Sequence, residues 1–301
     1  MNGTRTAESA TLARPRQNLI LVLFLLPPGL YILLFFVLPI LVMGTYSFGC
    51  IDSSYRIHVT GSLQQYLHFW TTPVYPRLLL KSLRMAAEVT LLCFLLGYPT
   101  AFLLAWVVRK RWRNFLLACL LLPSWTNLLI RTYAWLIVLG ENGLINYTLT
   151  RLRIVQEPLS LLFNNTAVVT ALICVYLPWM VLPIYTSLEK IDRALLEAAS
   201  NLGAGALQLF RRIIFPLSVP GVVAGALVVF VPAIGTYLTP MILGGTRGVM
   251  YANAINNQFQ ILNWPFGSAM AMILLVIVLG GLSIYFRFFR IEDIFGLSYR
   301  R

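Results

Sequence analysis

Residues 195–216 read LLEAASNLGAGALQLFRRIIFP, a polar and charged segment between two long apolar runs. Their order predicts two short helical pieces joined by a turn at Gly203. Glu197, Ala198, Ala199 and Leu202 belong to the first piece, and Phe210, Ile213 and Pro216 to the second. The chemistry open to such a segment is docking rather than bond-making. Its small residues let another protein surface approach the backbone closely, while Glu197 can serve as a cap or polar anchor. Residues suited to covalent or metal chemistry are missing. No GxxxxGK[ST] phosphate loop occurs, so the chain carries no argument for binding ATP by itself. Nor does it contain a nucleophile elbow, a metal-binding His/Glu pair or a set of paired carboxylates. Cys93, Cys119 and Cys174 fall in apolar runs and Cys50 at the end of one. Their spacing suggests neither a metal site nor a disulfide framework. His58 and His68 are isolated and read as loop residues. We therefore expect no catalytic residues and no metal site, with energy drawn from a partner or an ion gradient.

A second group of residues could act inside a membrane. An ionisable group within an apolar span costs on the order of 2.5–3.5 kcal/mol at its centre, and two such groups stand out, Glu88 and Arg131. They could neutralise each other as an ion pair, or Glu88 could face a pathway for cations. Residues 228–245 hold Pro232, Gly235 and Pro240, each of which weakens or interrupts a helix. Broken backbone deep in a membrane is tolerated where protein or a watery cavity covers it. It fits either a packed kink or a pathway lining that includes Thr236 and Tyr237. Gly221 and Gly225 form a GxxxG face suited to helix packing. Trp125, Asn127, Tyr133, Trp135, Tyr176 and Trp179 are further candidates. Aromatic faces can hold organic cations, and they also serve as interfacial anchors or packing groups.

Long apolar helices must position these residues. The chain is 59% hydrophobic and 11% charged, with mean hydropathy +0.79, too apolar for a soluble protein of this length. Six runs, roughly 19–46, 85–108, 115–140, 166–188, 217–243 and 268–286, each approach or exceed the ~20 residues a spanning helix needs. The ten-residue alternation of a transmembrane β-barrel is absent. The first run is too long for a cleaved secretion signal and is read as a retained helix distorted by Pro27, Pro28 and Pro39. Arg77, Lys81 and Arg84 recur at helical spacing and predict an interfacial or membrane-entering helix before the second span.

Of the 23 Lys and Arg residues, 15 fall in the amino terminus, the 109–114 and 189–216 loops and the tail. The positive-inside rule then places both termini and the Glu197 loop in the cytoplasm. This arrangement divides the chain into a cytoplasmic segment 1–18, a six-span domain 19–286 with a loop at about 189–216, and a cytoplasmic tail 287–301. The net charge of +13 clusters beside span ends, where topology and membrane lipid explain it better than nucleic acid.

The Glu197–Gly203 arrangement resembles the "EAA" loop of bacterial ABC-importer membrane subunits, which docks in a groove on a cytoplasmic ATPase. More of the chain is similar to the B-type permease of spermidine/putrescine importers. The similar segments are LPSWTNLLIRTYAW (122–135), YLPWMVLPIYTSLEKID (176–192), Pro232–Gly235, Leu243-Gly244-Gly245 and Asn263-Trp264-Pro265-Phe266-Gly267. This resemblance implies an all-α, six-span type I ABC-importer permease of the bacterial inner membrane. It further implies a second, C-type permease, two ATPase subunits holding ATP and Mg, and an extracytoplasmic solute-binding protein. Substrate would cross by alternating access. The polyamine permeases carry an acidic residue in the segment equivalent to 235–242, where this chain has GTYLTPMI; Glu88 is the carboxylate that could compensate. Alternative readings are an importer of amino-acid-like or other small organic solutes, and a gradient-driven secondary transporter or channel.

Overall fold

The structure, a computed structural model, describes residues 14–52 and 56–288. The expected terminal segments 1–18 and 287–301 fall largely outside those residues. Six of its helices are long and apolar enough to cross a membrane. The reason for helix is physical: in lipid every backbone N–H and C=O needs an internal partner.

Helix α1 (Arg14–Ile32) passes through Pro27 and Pro28, widens into a π turn at Leu33–Val37, and continues as α2 (Leu38–Ser47). Two short strands follow, β1 (Gly49–Ile51) and β2 (Ile57–Val59), paired antiparallel with Cys50 opposite His58. Helix α3 (Gln64–Thr71) leads into the second span, α4 (Val74–Phe102), which ends in a π turn at Leu103–Val107. Next come α5 (Lys110–Leu121), a 3₁₀ turn at Leu122–Trp125, α6 (Leu128–Leu139) and α7 (Leu144–Arg151). The fourth span is α8 (Asn165–Glu189), followed by α9 (Arg193–Asn201) and α10 (Ala206–Leu209). A π turn at Phe210–Ile214 opens the fifth span, α11 (Phe215–Gly235). The chain then forms α12 (Leu238–Leu243), α13 (Tyr251–Gln260) and the last span, α14 (Trp264–Phe288). Two of the π turns lie just before a proline (Pro39 and Pro216), whose missing N–H falls on a carbonyl within the turn and disrupts the regular hydrogen-bond ladder.

Several expectations need correction. The second span begins at Val74 rather than 85, because the Arg77–Arg84 segment is continuous with it. The third apolar run does not form one helix: it breaks at Leu122–Asn127, between α5 and α6. The fifth helix runs straight through Pro232 and ends at Gly235. His58 lies in strand β2, and His68 lies in α3 with its ring edge-on to Phe266 at 4.8 Å. Neither is a loop residue.

The core forms where α4 and α11 pack on α8 and on each other. Val89 and Cys93 of α4, Met180, Val181, Ile184 and Leu188 of α8, and Val229 of α11 are fully buried. Helices in lipid gain little from hydrophobic transfer, so their seams depend on close packing by small residues. The GxxxG face does this here. A Cβ added to Gly221 would meet the Pro183 carbonyl and the Ser187 hydroxyl, and one on Gly225 would lie 2.9 Å from Met180 Sδ. Across the same bundle, the Tyr98 hydroxyl and Ser218 Oγ share a hydrogen bond of 2.9 Å. At the opposite end, Ser82 Oγ accepts the Tyr251 backbone N–H at 2.6 Å, and the Tyr251 phenol donates to the Met270 carbonyl at 3.0 Å.

Candidate functional site

Two places in the fold carry the candidate residues, the helical loop after α8 and the interrupted backbone after α11.

The loop is built by its caps. Asp192 accepts the Ala194 N–H at 2.9 Å and starts α9, as a short acidic side chain does at an N-cap. At the other end Gly203 has φ +85°. Its N–H donates to the Ser200 carbonyl at 2.9 Å, and the Ala204 N–H donates to the Ala199 carbonyl at 3.1 Å. Those two bonds together form a Schellman motif, the helix stop that glycine favours because a Cβ is disfavoured at positive φ. Gly205 then opens α10, with its N–H donating to Gln208 Oε1 at 3.3 Å. Expected pieces and turn are therefore both present.

Around this turn the surface is apolar. Leu202 is 90% exposed, and Leu195 and Leu207 are also exposed. Glu197 and Ala198 face outward while Ala199 is half-buried. Toward the membrane the loop is anchored. Leu196 and Phe210 pack against the main core, with the Phe210 ring edge-on to Tyr98 at 5.8 Å. Ile213 is half-buried and Pro216 exposed, at the head of the fifth span. The loop thus holds an exposed leucine tip on an arm that packs directly on α4.

The second place is the break between α11 and α12. Thr236 is extended and Tyr237 lies outside helical geometry. The Tyr237 carbonyl accepts two bonds, from the Met241 N–H at 3.0 Å and from the Asn253 amide of α13 at 2.7 Å. Thr236 is buried beside the Tyr176 phenol of α8. Buried Thr239 lies 3.4 Å from Thr132 of α6, Oγ1 to Oγ1. Pro232 and Gly235 are exposed, and a Cβ added to Gly235 would meet nothing within 4 Å. Asn253, which holds the Tyr237 carbonyl, also lines a groove of about 690 Å³ with Met241, Val249, Asn256, Asn257 and Gln260.

The remaining candidates divide. Asn127 caps α6, accepting the Leu129 N–H at 2.8 Å. Trp125, Tyr133 and Trp179 are exposed, whereas Trp135 packs on the core. The Glu88–Arg131 pair does not form. Arg131 turns back to the Pro123 and Thr126 carbonyls and the Thr126 hydroxyl, satisfying the polar break between α5 and α6, and Glu88 is exposed on α4. Among the described residues the ion pair is Arg113–Glu189 at 3.0 Å.

Sequence reasoning missed that pair, along with Ser82, Asn253 and the Tyr98–Ser218 bond. Arg113 was visible only as a topological charge. Asn253 lies in a polar helix with no local sign of its partner.

Comparison with known proteins places this architecture. The profile of the family described as "Binding-protein-dependent transport system inner membrane component" matches residues 95–291. The chain is 40% identical to the spermidine/putrescine transport system permease protein PotB of Escherichia coli (strain K12), over 85% of this chain and 93% of that one. It is 39% identical to PotB of Salmonella typhimurium (strain SL1344), over 90% and 93%. A crystal structure of a bacterial ABC transporter involved in import of the acidic polysaccharide alginate superposes with TM-score 0.74. That match covers 92% of this chain and 99% of the other at 17% identity, so it speaks to fold alone. It agrees with the six-span, all-α permease fold expected from the sequence. With its helical loop and the backbone break that follows its fifth span, this chain belongs to the family of binding-protein-dependent transport system inner membrane components.

Proposed function

We propose that this chain is the transmembrane permease subunit of an ATP-driven importer of spermidine and putrescine. It works beside a second, C-type permease, two ATPase subunits that hold ATP and Mg, and an extracytoplasmic binding protein. The observation that carries the reading is the loop after α8. Its Schellman turn at Gly203 presents Leu202, 90% exposed, on an arm packed against α4. An apolar tip on a rigid arm suits a docking contact that must transmit force.

In this reading the loop and both termini face the cytoplasm, as the basic residues indicate. Leu195, Leu202 and Leu207 enter the ATPase groove, with Glu197, Ala198 and Ala199 beside them. Closure of the ATPase dimer pulls on Phe210 and Tyr98 and so moves α4 against α11. The break at Thr236–Tyr237 is the element best suited to respond, because its carbonyl is held by a side chain of another helix. The polyamine substrate is supported by the likeness to the PotB proteins across most of the chain. Glu88 and the exposed Tyr133, Trp179 and Tyr237 are the groups available to an organic cation.

The test is reconstitution of the co-expressed complex with its binding protein, followed by ATP-dependent uptake of labelled spermidine and putrescine. Saturable uptake, competed by unlabelled polyamine, is expected. ATPase activity stimulated by the binding protein without polyamine uptake would overturn the substrate and leave the importer. Uptake by this chain alone without ATP would overturn the importer.

A further inference from the structure

A cavity of about 640 Å³ lies where the second and fourth spans end, between the π turn at Leu103–Val107, the start of α5, and the 189–193 stretch. Four cations line it: Lys110, Arg113, Lys190 and Arg193. Two carboxylates line it as well. Glu189 is engaged by Arg113 at 3.0 Å, and Asp192 caps α9. Arg193 rests over the Trp106 ring at 5.7 Å. The balance of charge in the cavity is positive.

Its walls hold donors with nothing to bond. Arg113 is 7% exposed. One terminal nitrogen serves Glu189 and the other donates to the Ala105 carbonyl at 2.6 Å, yet its Nε is buried without a partner. Trp106 Nε1 is also buried without a partner. Both atoms have almost no accessible surface, so the groups that can meet a ligand in the cavity are Lys110, Lys190 and Arg193. Val107 at the end of the second span and Trp112 and Phe115 of α5, all next to lining residues in sequence, are exposed apolar side chains.

We propose that this cavity binds the phosphodiester headgroup of an anionic phospholipid. Its phosphate oxygens accept from Lys110 and Lys190, which also meet its charge, and its acyl chains lie along Val107, Trp112 and Phe115. A zwitterionic lipid fits less well, because its ammonium opposes the same lysines. A soluble phosphate would satisfy the donors but leave the apolar border uncovered. The site adjoins the start of α9, so the lipid braces the base of the helical loop. This proposal does not depend on which solute the protein carries.

The experiment is native mass spectrometry of the full complex, titrated with phosphatidylglycerol or phosphatidylcholine, for wild type, Lys110→Gln/Lys190→Gln and Lys110→Arg/Lys190→Arg. Each cation near a membrane surface is worth roughly fivefold in affinity, so the double Gln variant should bind phosphatidylglycerol about 25-fold more weakly. The Arg variant should restore binding, and inorganic phosphate at millimolar concentration should not displace the lipid. The same spectra report assembly. If the double Gln variant fails to assemble, the two single Gln variants carry the comparison. Equal phosphatidylglycerol binding in wild type and Gln variants would overturn the proposal. Displacement by inorganic phosphate would reassign the cavity to a soluble anion. Lipid absent from a complex whose ATPase protects Lys190 from chemical labelling would reassign it to a protein partner.

Discussion

Replacing Gly203 separates two physical reasons for a glycine at that turn. One is conformation: φ is +85°, and a Cβ there costs about 1–2 kcal/mol in left-handed backbone. The other is space for a docked surface, which penalises side-chain size. Within the chain, nothing lies within 4 Å of a Cβ built on Gly203, so the fold itself sets no steric limit. Gly203→Ala therefore forces a choice between strain and surrender of the two Schellman bonds from Gly203 and Ala204. At about 1.4 kcal/mol, the ratio of correctly held to released Leu202 tip falls roughly tenfold. Asparagine tolerates positive φ better than alanine, so conformation ranks Asn above Ala. Docking space ranks Ala above Asn. The assay is binding-protein-stimulated ATPase and uptake in proteoliposomes, with complex assembly checked by gel filtration. Coupling that is preserved in Gly203→Asn and reduced severalfold in Gly203→Ala is the expected result. Wild-type coupling in Gly203→Ala would refute the conformational argument. Coupling lost in Asn but kept in Ala would hand the position to the partner surface.

Three further outcomes are expected. Gly221→Ala places a methyl 2.5 Å from Ser187 Oγ, and overpacking there should lower stability by about 1–3 kcal/mol. Gly235→Ala should be close to neutral, since its methyl meets open space; thermal unfolding in detergent compares the two. Asn253→Ala removes one donor to the Tyr237 carbonyl. The Met241 N–H still meets that carbonyl at 3.0 Å, so the loss is one hydrogen bond of about 0.5–1.5 kcal/mol, and uptake should fall modestly while assembly persists. Normal uptake would show that water replaces the amide.

What the sequence disclosed follows how local each feature is. The spans are legible because twenty apolar residues in a row have few other fates in water or lipid. The Gly203 turn is legible because the caps of its two helices, Asp192 and Gly205, lie only thirteen residues apart. Other features depend on residues brought together across the fold. Arg113 and Glu189 stand 76 apart, Lys81 reaches the Arg247 and Val249 carbonyls, and Tyr98 meets Ser218. No pattern at either position announces the other. The error at Arg131 has the same root. A charge in an apolar run suggests a charged mate, one of the two readings open for Glu88 and Arg131, whereas the 3₁₀ turn beside Arg131 supplies carbonyls within eight residues.

The three-helix core also constrains the order in which the protein can be made. Its members are the second, fourth and fifth spans, so α4 enters the bilayer long before either neighbour has been synthesised. Until residue 235 emerges, the seam formed by Gly97 and Met180 lacks Gly221 and Gly225, and α8 has one face against lipid. Insertion and packing are consequently separate stages. Ribosome pausing or truncation between Glu189 and Gly235 leaves a chain that is threaded but not assembled. In that interval Ser187, later pressed against Gly221, is a hydroxyl exposed to whatever quality-control machinery surveys the membrane.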